Sequence, residues 1–154
     1  MVRWEDLEAR VPDLAAAIRE RFQAHRHHTL ATLRKDGAPR ISGTEVGFAD
    51  GDISLGMMPG SVKALDLQRD PRMAVHSHSE DPPEDLAEAN RWSGDAKLAG
   101  RAVAIPRPDT PGPPGSFFRI DIEEAVVTRV GTPPDHLVIE SWHEDIGYRR
   151  RERR

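Results

Sequence analysis

Cysteine is absent from this chain of 154 residues, and so are long apolar runs. Without a thiol the protein has no disulfide bonds, no cysteine nucleophile and no cysteine-ligated zinc or iron–sulfur centre. No stretch approaches the ~18 consecutive apolar residues that a membrane-spanning helix requires, so we expect no membrane partner. Chemistry must therefore come from other side chains or from a bound cofactor.

A secretory signal begins with a basic segment followed by an apolar run, and the start of this chain has no such apolar run. Instead, the first twenty residues carry acidic side chains at Glu5, Asp6, Glu8 and Asp13. We therefore expect a cytoplasmic protein. A mass of 17.2 kDa fits one domain over residues 1–154, which is long enough to bury a core without covalent cross-links.

Positive charge is scarce outside the last residues. The chain carries 22 basic and 26 acidic residues, a net charge of −4, but residues 149–154 alone hold five Arg and one Glu, a charge of +4. The rest of the chain therefore carries −8. This balance argues against a nucleic-acid partner, because such a partner needs a broad basic face. We predict that the Arg-rich tail, residues 143–154, is solvated.

Apolar residues spaced three and four apart predict an amphipathic helix over residues 4–25, within an N-terminal helical segment 1–27. Proline is tolerated in a first helical turn but not in a helix interior. Pro12 therefore predicts that the main helix begins near Val11 and that the residues before it form a separate turn.

Short extended runs separated by turn residues predict strands from residue 29 onwards. Asp36-Gly37 and Asp50-Gly51 each stand between two β-prone runs, which is the strongest local signal for a hairpin, so three antiparallel strands follow one another. Gly100 is a candidate β-bulge. The predicted strands are residues 29–34, 39–48, 53–57, 72–79, 96–105, 117–130 and 137–142.

Three segments between these strands are not extended. Residues 61–69 predict a short helix that ends before a proline, with Val62 and Leu65 on its inward face and Ala64 and Leu67 as further inward candidates. Residues 80–94 form an acidic insertion, either a loop or a short helix, and residues 106–115 are a Pro/Gly-rich loop. Because few strands are followed by a helix, the pattern favours an antiparallel barrel over parallel βαβ units.

The start of the short helix carries the clearest chemical signal. Met57-Met58-Pro59-Gly60 leads from a strand into a helix that begins at Ser61. Ser61 is a natural N-cap, and a helix N-terminus offers unpaired N–H groups and the positive end of a dipole. With Lys63 two residues on, the segment makes a phosphate site. The same residues also fit a capped surface helix with a solvated lysine, and the pattern alone leaves both interpretations open.

The order of these elements resembles that of the pyridoxamine 5′-phosphate oxidase-like family of flavin- and deazaflavin-binding split barrels. The shared order is strand, Asp-Gly turn, strand, turn, strand, Ser-x-Lys helix, Asp-Pro-Arg and strand. Weaker likeness continues through residues 97–104 and 117–130, so most of the chain is covered. The matching residues are Thr29-Leu30-Ala31-Thr32-Leu33, Asp36-Gly37-Ala38-Pro39-Arg40-Ile41-Ser42, Ser61-Val62-Lys63 and Leu67-Gln68-Arg69-Asp70-Pro71-Arg72.

The resemblance implies a mainly β fold, a six-stranded antiparallel split β-barrel with an N-terminal helix and short flanking helices. It also implies a homodimer that holds FMN, or coenzyme F420 in place of FMN, in a groove between the subunits. Strong phosphate binders of the family carry Arg where this chain has Val62, so a bidentate donor is missing here. The residues implied to bind the cofactor are Lys63, Ser61 and Val62 at the phosphate, Ser42, Gly43 and Thr44 along the ring, and Met57 and Met58 beside the groove.

On this basis we expect an oxidoreductase that transfers a hydride between FMN or a deazaflavin and an unidentified small-molecule substrate. The alternative is a non-catalytic module that binds a flavin, a deazaflavin or haem for storage or sensing. The catalytic residues stay unassigned, since the cofactor carries the chemistry. An enzyme would turn over an acceptor faster than free cofactor does, whereas a storage module would not.

Histidines are the remaining candidate ligands. His76 and His78 alternate onto one face of a predicted strand, and His25, His27 and His28 cluster in the sequence. A metal site needs three or four ligands with supporting hydrogen bonds, so we expect no metal. A haem-binding variant of the barrel through one of these histidines is the remaining option.

Overall fold

A computed structural model describes residues 1–107 and 115–154. The predicted loop 106–115 lies outside the described residues, except for its ends. The helices are α1 Trp4–Arg10, α2 Pro12–Gln23 and α3 Val62–Arg69, with a 3-10 helix at Leu86–Arg91. The strands are β1 His27–Leu33, β2 Pro39–Ala49, β3 Asp52–Met57, β4 Arg72–His76, β5 Asp95–Ile105, β6 Ser116–Val130, β7 Leu137–His143 and β8 Gly147–Arg153.

Six of these strands close into a barrel. The strand order is β3-β2-β1-β4-β5-β6, and β6 pairs back onto β3, so the sheet has no open edge between its first and sixth strands. Every pairing is antiparallel. The predicted six-stranded antiparallel barrel is therefore confirmed. Strands β7 and β8 extend the sheet beyond β6.

Both predicted Asp-Gly hairpins are present. β1 pairs with β2 across the Asp36-Gly37 turn, and β2 pairs with β3 across Asp50-Gly51. The glycines adopt φ values of 85° and 76°, a region that side chains with a Cβ rarely enter, and Asp50 joins them at φ 54°. Turn chemistry therefore determined these two strand boundaries, as the sequence indicated.

A β-bulge interrupts the longest strand pairing at the predicted glycine. The register of β5 on β6 shifts between Ala99 and Gly100. A Cβ atom on Gly100 would collide with the main-chain oxygen of Asp121, so no larger residue fits here without a shift of the backbone. The bulge bends both strands and lets the sheet curve into a barrel.

The N-terminal segment covers one side of the barrel with two helices. The break between α1 and α2 falls at Val11, with Pro12 in the first position of α2, as predicted. Trp4, Leu7, Ile18 and Phe22 are almost fully buried against the strands. Burial of such side chains contributes roughly 1.5 to 3 kcal/mol each.

The side chains of the Arg-rich tail are solvated, as predicted, but its backbone forms a strand, which the sequence analysis did not predict. β8 pairs with β7 along its length, from His143 opposite Gly147 to Leu137 opposite Arg153. Backbone hydrogen bonds hold the strand, while its arginine side chains extend into solvent. The backbone pairing with β7 is enough to form this strand, and a count of charges does not reveal it.

The histidines near β1 and β4 form structural contacts. His28 is buried; its Nδ1 accepts a hydrogen bond from the His78 N–H at 2.9 Å, and its Nε2 lies 2.9 Å from the Phe22 carbonyl oxygen. The neutral ring with a proton on Nε2 satisfies both partners. Burial lowers the pKa of His28 and outweighs the carbonyl of Phe22, which raises it. β4 ends at His76, so the prediction that His76 and His78 share a strand face was wrong.

We predict that His28 makes the fold sensitive to acid. Because its pKa is lowered in the folded state, the unfolded chain binds the proton more tightly, and stability falls as pH drops below the ordinary histidine pKa of about 6.5. One proton changes the free energy of unfolding by at most about 1.4 kcal/mol per pH unit. Urea unfolding between pH 7.5 and 5.5 should show this fall in the wild type and a shallower one in His28→Gln.

His27→Gln is the matched control, because His27 is the exposed neighbour on the same strand. This variant should keep the wild-type pH dependence. Equal pH dependence in the wild type and in His28→Gln would contradict the prediction.

Candidate functional site

The start of α3 has the geometry of a capped helix with free donors. Ser61 lies outside the helix at φ −59° and ψ 144°, and its Oγ accepts a hydrogen bond from the Ala64 N–H at 3.3 Å. Gly60 adopts φ 69°, which allows the tight turn before the cap. At a helix start the N–H groups of Val62 and Lys63 have no acceptor within the helix. These two N–H groups point away from the helix and are available to a ligand beyond its N-terminus.

Lys63 joins this helix to strand β2. Its Nζ donates a hydrogen bond to the Gly43 carbonyl oxygen at 2.5 Å, and the side chain is half-buried rather than fully exposed to solvent. An ammonium group has three donors, so two stay available to a ligand. The structure thus brings together two groups of predicted site residues that lie 20 residues apart in the sequence.

The three predicted residues of β2 do not share one face. Ser42 is half-buried and Thr44 is buried, whereas Gly43 between them is exposed. The Thr44 hydroxyl donates to the Glu45 carbonyl at 3.2 Å. Side chains alternate along a strand, so a ring lying over this strand would meet the backbone of Gly43 rather than all three side chains. The expectation that Ser42, Gly43 and Thr44 line a ring together needs this correction.

The two predicted methionines also differ in their exposure to solvent. Met57 is buried in the barrel core, and Met58 is 73% exposed beside the turn that leads to Ser61. The Met58 carbonyl accepts a hydrogen bond from the Ser61 N–H at 3.2 Å. Of the two, Met58 is therefore the one whose side chain borders the start of α3.

The inward face of α3 agrees with the prediction in part. Ala64 and Leu67 are buried as predicted, whereas Val62 and Leu65 are 51% and 50% exposed, so that part of the prediction was wrong. Asp66 is the third buried residue of the helix. A charged side chain takes this inward position because its partners lie beneath the helix.

Asp66 is a buried carboxylate that fastens α3 to the β1–β2 hairpin. The side chain is 2% exposed. One of its oxygens accepts hydrogen bonds from Thr32 Oγ1 at 2.8 Å and from Arg40 Nε at 2.7 Å. The other accepts from Arg69 Nη2 at 2.9 Å, and the same Arg69 nitrogen donates to the Leu33 carbonyl at 2.6 Å. The helix is thereby tied to both strands.

These hydrogen bonds keep Asp66 charged. Burial raises the pKa of this carboxyl, but the bonds from Thr32, Arg40 and Arg69 lower it by more, so the pKa lies below its ordinary value. Sequence reasoning missed Asp66. The available signal was the Asp-x-x-Arg spacing of Asp66 and Arg69 on one helical face.

We predict that Asp66→Asn loosens α3 before it affects the barrel. The variant keeps the side-chain shape but removes the charge shared by two guanidinium groups, and hydrogen bonds to charged groups contribute about 1.5 to 3 kcal/mol each. The free energy of unfolding should fall by at least about 2 kcal/mol. Backbone N–H groups of α3 should also exchange faster with solvent than those of β5 and β6.

Asp81→Asn removes the same charge from an exposed position and should change stability by less than about 0.5 kcal/mol. Equal stability of the wild type and Asp66→Asn would show that the carboxylate does not fasten the helix.

No metal centre is found in residues 1–107 and 115–154: these contain no group of three or more His, Asp or Glu side chains placed to hold an ion. Among the same residues, no helix is long and apolar enough to cross a bilayer.

The sequence matches a known family over most of this architecture. The family model described as pyridoxamine 5′-phosphate oxidase matches residues 14–125, which include β1 to β5, α3 and the first part of β6. The chain therefore belongs to the pyridoxamine 5′-phosphate oxidase family. No curated protein sequence matches the chain at a significant level.

Solved structures with the same fold have different ligands. A pyridoxamine 5′-phosphate oxidase-related, FMN-binding protein from Nostoc punctiforme is 14% identical with a TM-score of 0.61, covering 94% of this chain and 96% of that one. PhzG from Burkholderia lata is 12% identical with a TM-score of 0.64, covering 97% and 92%. A heme-binding protein from Mycobacterium smegmatis is 16% identical with a TM-score of 0.54, covering 90% and 87%. At these identities the likeness establishes the fold alone.

Proposed function

We propose that the chain binds FMN at the start of α3 and acts as an oxidoreductase on a small-molecule substrate, with coenzyme F420 as the alternative cofactor. The observation that carries this proposal is the convergence of the free α3 N–H groups and the Lys63 ammonium beside the exposed backbone of Gly43. Membership of the family and the FMN-binding relative support it.

The residues present fit the phosphate end of such a cofactor. A phosphate at the helix start accepts hydrogen bonds from the N–H groups of Val62 and Lys63, and the helix dipole favours its negative charge. The Lys63 ammonium adds a charge-assisted bond. Val62 supplies no guanidinium, so Lys63 is the one cation that binds the phosphate in this proposal.

The isoalloxazine or deazaflavin ring supplies hydride transfer when it is bound. The chain itself contributes orientation and exclusion of water. Gly43 lets the ring approach the β2 backbone because it has no side chain, and no atom lies within 4 Å of where its Cβ would be. Met58, which is exposed beside the turn into α3, borders the phosphate end of the cofactor in this proposal.

A second copy of the chain completes the groove in this proposal. Ile41 is 75% exposed on β2, and its cross-strand partners form a row of small residues, Ala31, Ala74 and Ala99, on the outer face of the barrel. A flat face of small side chains with one exposed isoleucine suits close packing against an identical face. We therefore propose a homodimer through this face.

A non-catalytic module for storage or sensing is the competing function, since a relative with this fold binds heme. Two of the five candidate histidines, His28 and His76, already have polar partners. Both ring nitrogens of His28 are engaged, and those of His76 lie 2.6 Å from the Ser77 carbonyl and 3.5 Å from an Asp95 carboxylate oxygen. Loss of these contacts would be required before either ring could ligate iron.

We predict that Lys63→Ala weakens FMN binding about ten- to a hundredfold, the cost of one charge-assisted hydrogen bond. Val62→Arg should tighten FMN binding, because it restores a bidentate donor. Fluorescence titration with FMN and with coenzyme F420 measures both effects. Lys35→Ala, in the exposed β1–β2 turn, is the control and should bind as the wild type does.

Unchanged affinity of Lys63→Ala for both cofactors would place the phosphate elsewhere. A turnover assay distinguishes the oxidoreductase from the storage module. An oxidoreductase reduces or oxidises an acceptor faster than free FMN does, and a storage module does not. A parallel titration with haemin tests the haem alternative.

We also predict that Ile41→Glu dissociates the homodimer, since a charge at the centre of an apolar interface is not solvated there. Sedimentation velocity at micromolar concentration should show a dimer for the wild type and a monomer for the variant. Leu86→Glu changes an exposed leucine on the 3-10 helix, away from this face, and should stay dimeric. A monomeric wild type would rule out the proposed interface.

A further inference from the structure

A cavity of about 270 Å³ lies between the junction of α1 with α2 and the hairpin of β7 and β8. The helical side supplies four consecutive residues, and each strand of the hairpin supplies one. The lining residues are Val11, Pro12, Asp13 and Leu14 from the helical side, and Glu140 and Tyr148 from the strands. Leu14 is buried in the hydrophobic core, whereas Asp13 and Tyr148 are exposed, so the cavity extends from the core to solvent.

The lining carries two carboxylates, those of Asp13 and Glu140, and no cation. Asp13 has no ion pair and its side chain accepts no hydrogen bond within residues 1–107 and 115–154. It lies in the first turn of α2, where its charge offsets the positive end of the helix dipole. The start of α2 therefore does not repel a cation in the cavity.

Glu140 is held in place by Tyr148 and keeps a free acceptor site. The Tyr148 hydroxyl donates a hydrogen bond to Glu140 Oε1 at 2.7 Å, and this bond raises the pKa of the phenol. The other oxygen, Oε2, lies 3.6 Å from Arg129 Nη2, which is beyond hydrogen-bond distance. Arg150, the cross-strand partner of Glu140, lies 3.0 Å from Glu152 instead. Glu140 Oε2 can therefore accept a hydrogen bond from a ligand.

The Tyr148 ring supplies aromatic surface beside these carboxylates. Its hydroxyl is fixed on Glu140, so the ring stays next to that carboxylate. Tyr148 is 47% exposed, which leaves part of the ring accessible to a ligand. An aromatic face attracts a cation and packs well against an apolar group. With Pro12 and Leu14 on the helical side, the cavity suits a ligand that combines a positive charge with an apolar body.

We propose that this cavity binds a primary amine in its protonated form, carried on a single aromatic ring or an apolar group of similar size. The ammonium group donates hydrogen bonds to the carboxylates of Asp13 and Glu140, since a primary ammonium has several N–H donors and both carboxylates have free acceptor sites. The apolar body packs against Tyr148, Pro12 and Leu14. The volume lies just below the roughly 300–1,000 Å³ of common ligand pockets, so it fits one ring rather than a nucleotide.

The amine cavity is separate from the proposed cofactor site. Neither α3 nor β2 contributes a lining residue. The family match over residues 14–125 includes Leu14 and none of the other five lining residues. The proposed amine site therefore belongs mainly to segments outside the family model, and binding there does not require a bound cofactor.

The test uses 2-phenylethylamine as the probe and the ring signals of Tyr148 as the readout. Tyr148 is the single tyrosine of the chain, so protein labelled with carbon-13 tyrosine gives one set of ring signals in NMR spectra. The amine should shift these signals in a saturable way. 3-Phenylpropionate has a similar shape and the opposite charge, and 2-phenylethanol is neutral. Each should bind about tenfold more weakly than the amine or worse.

Two variants test the carboxylates. Asp13→Asn and Glu140→Gln keep the side-chain shape and remove the charge, and each should weaken binding of 2-phenylethylamine about tenfold. Asp145→Asn removes a carboxylate from the turn between β7 and β8, outside the lining, and should bind as the wild type does. Because Asp13 is exposed, Asp13→Asn keeps the fold and stays informative even if Glu140→Gln destabilises the hairpin.

Three results would overturn the proposal: no saturable shift with 2-phenylethylamine, 3-phenylpropionate binding as tightly as the amine, or unchanged affinity of Asp13→Asn and Glu140→Gln. Lys63→Ala should leave the affinity for the amine unchanged. If Lys63→Ala instead abolishes amine binding, the amine binds at the start of α3 and this cavity is not the site. Failure of FMN binding leaves the test unaffected.

Discussion

The buried carboxylate of Asp66 is the constraint on which the candidate site depends. It ties α3 to β1 through Thr32 and to β2 through Arg40, so the helix can lie in only one orientation over the hairpin. That orientation sets where the N-terminus of α3 points and brings Lys63 to the Gly43 carbonyl. A helix of eight residues has little intrinsic stability, so tertiary contacts of this kind fix its position. The geometry of the proposed anion site is thus a consequence of an ion network at the other side of the helix.

Much of the barrel was predictable because local chemistry dictates its boundaries. Gly37 and Gly51 supply the backbone conformations that tight hairpins need, Pro12 limits where α2 can start, and Gly100 marks the bulge. The fate of the C-terminal segment was not predictable from charge. β8 pairs with the edge of β7 that β6 leaves free, and a short turn between His143 and Gly147 connects the two strands. The density of arginine in the segment does not indicate this backbone pairing.

The candidate site was predictable in its parts but not in its arrangement. The Ser61 cap follows from local sequence, and the structure confirms its hydrogen bond to Ala64. The proximity of Lys63 to β2 came only from the family resemblance, since the spacing of residues says nothing about which strand a helix covers. The orientation of Thr44 followed from strand alternation once the register was known. Asp66 was missed because apolar periodicity ranks a charged residue as exposed.

The arginines of β8 have a further effect that concerns solubility. β8 is the last strand of the sheet, and its outer edge carries backbone donors and acceptors that β7 does not use. Exposed edges of this kind can pair with the same edge of another molecule and start aggregation. Four arginines and one glutamate in seven residues make two such edges repel each other. The Arg-rich tail therefore protects the open edge of the sheet from such pairing.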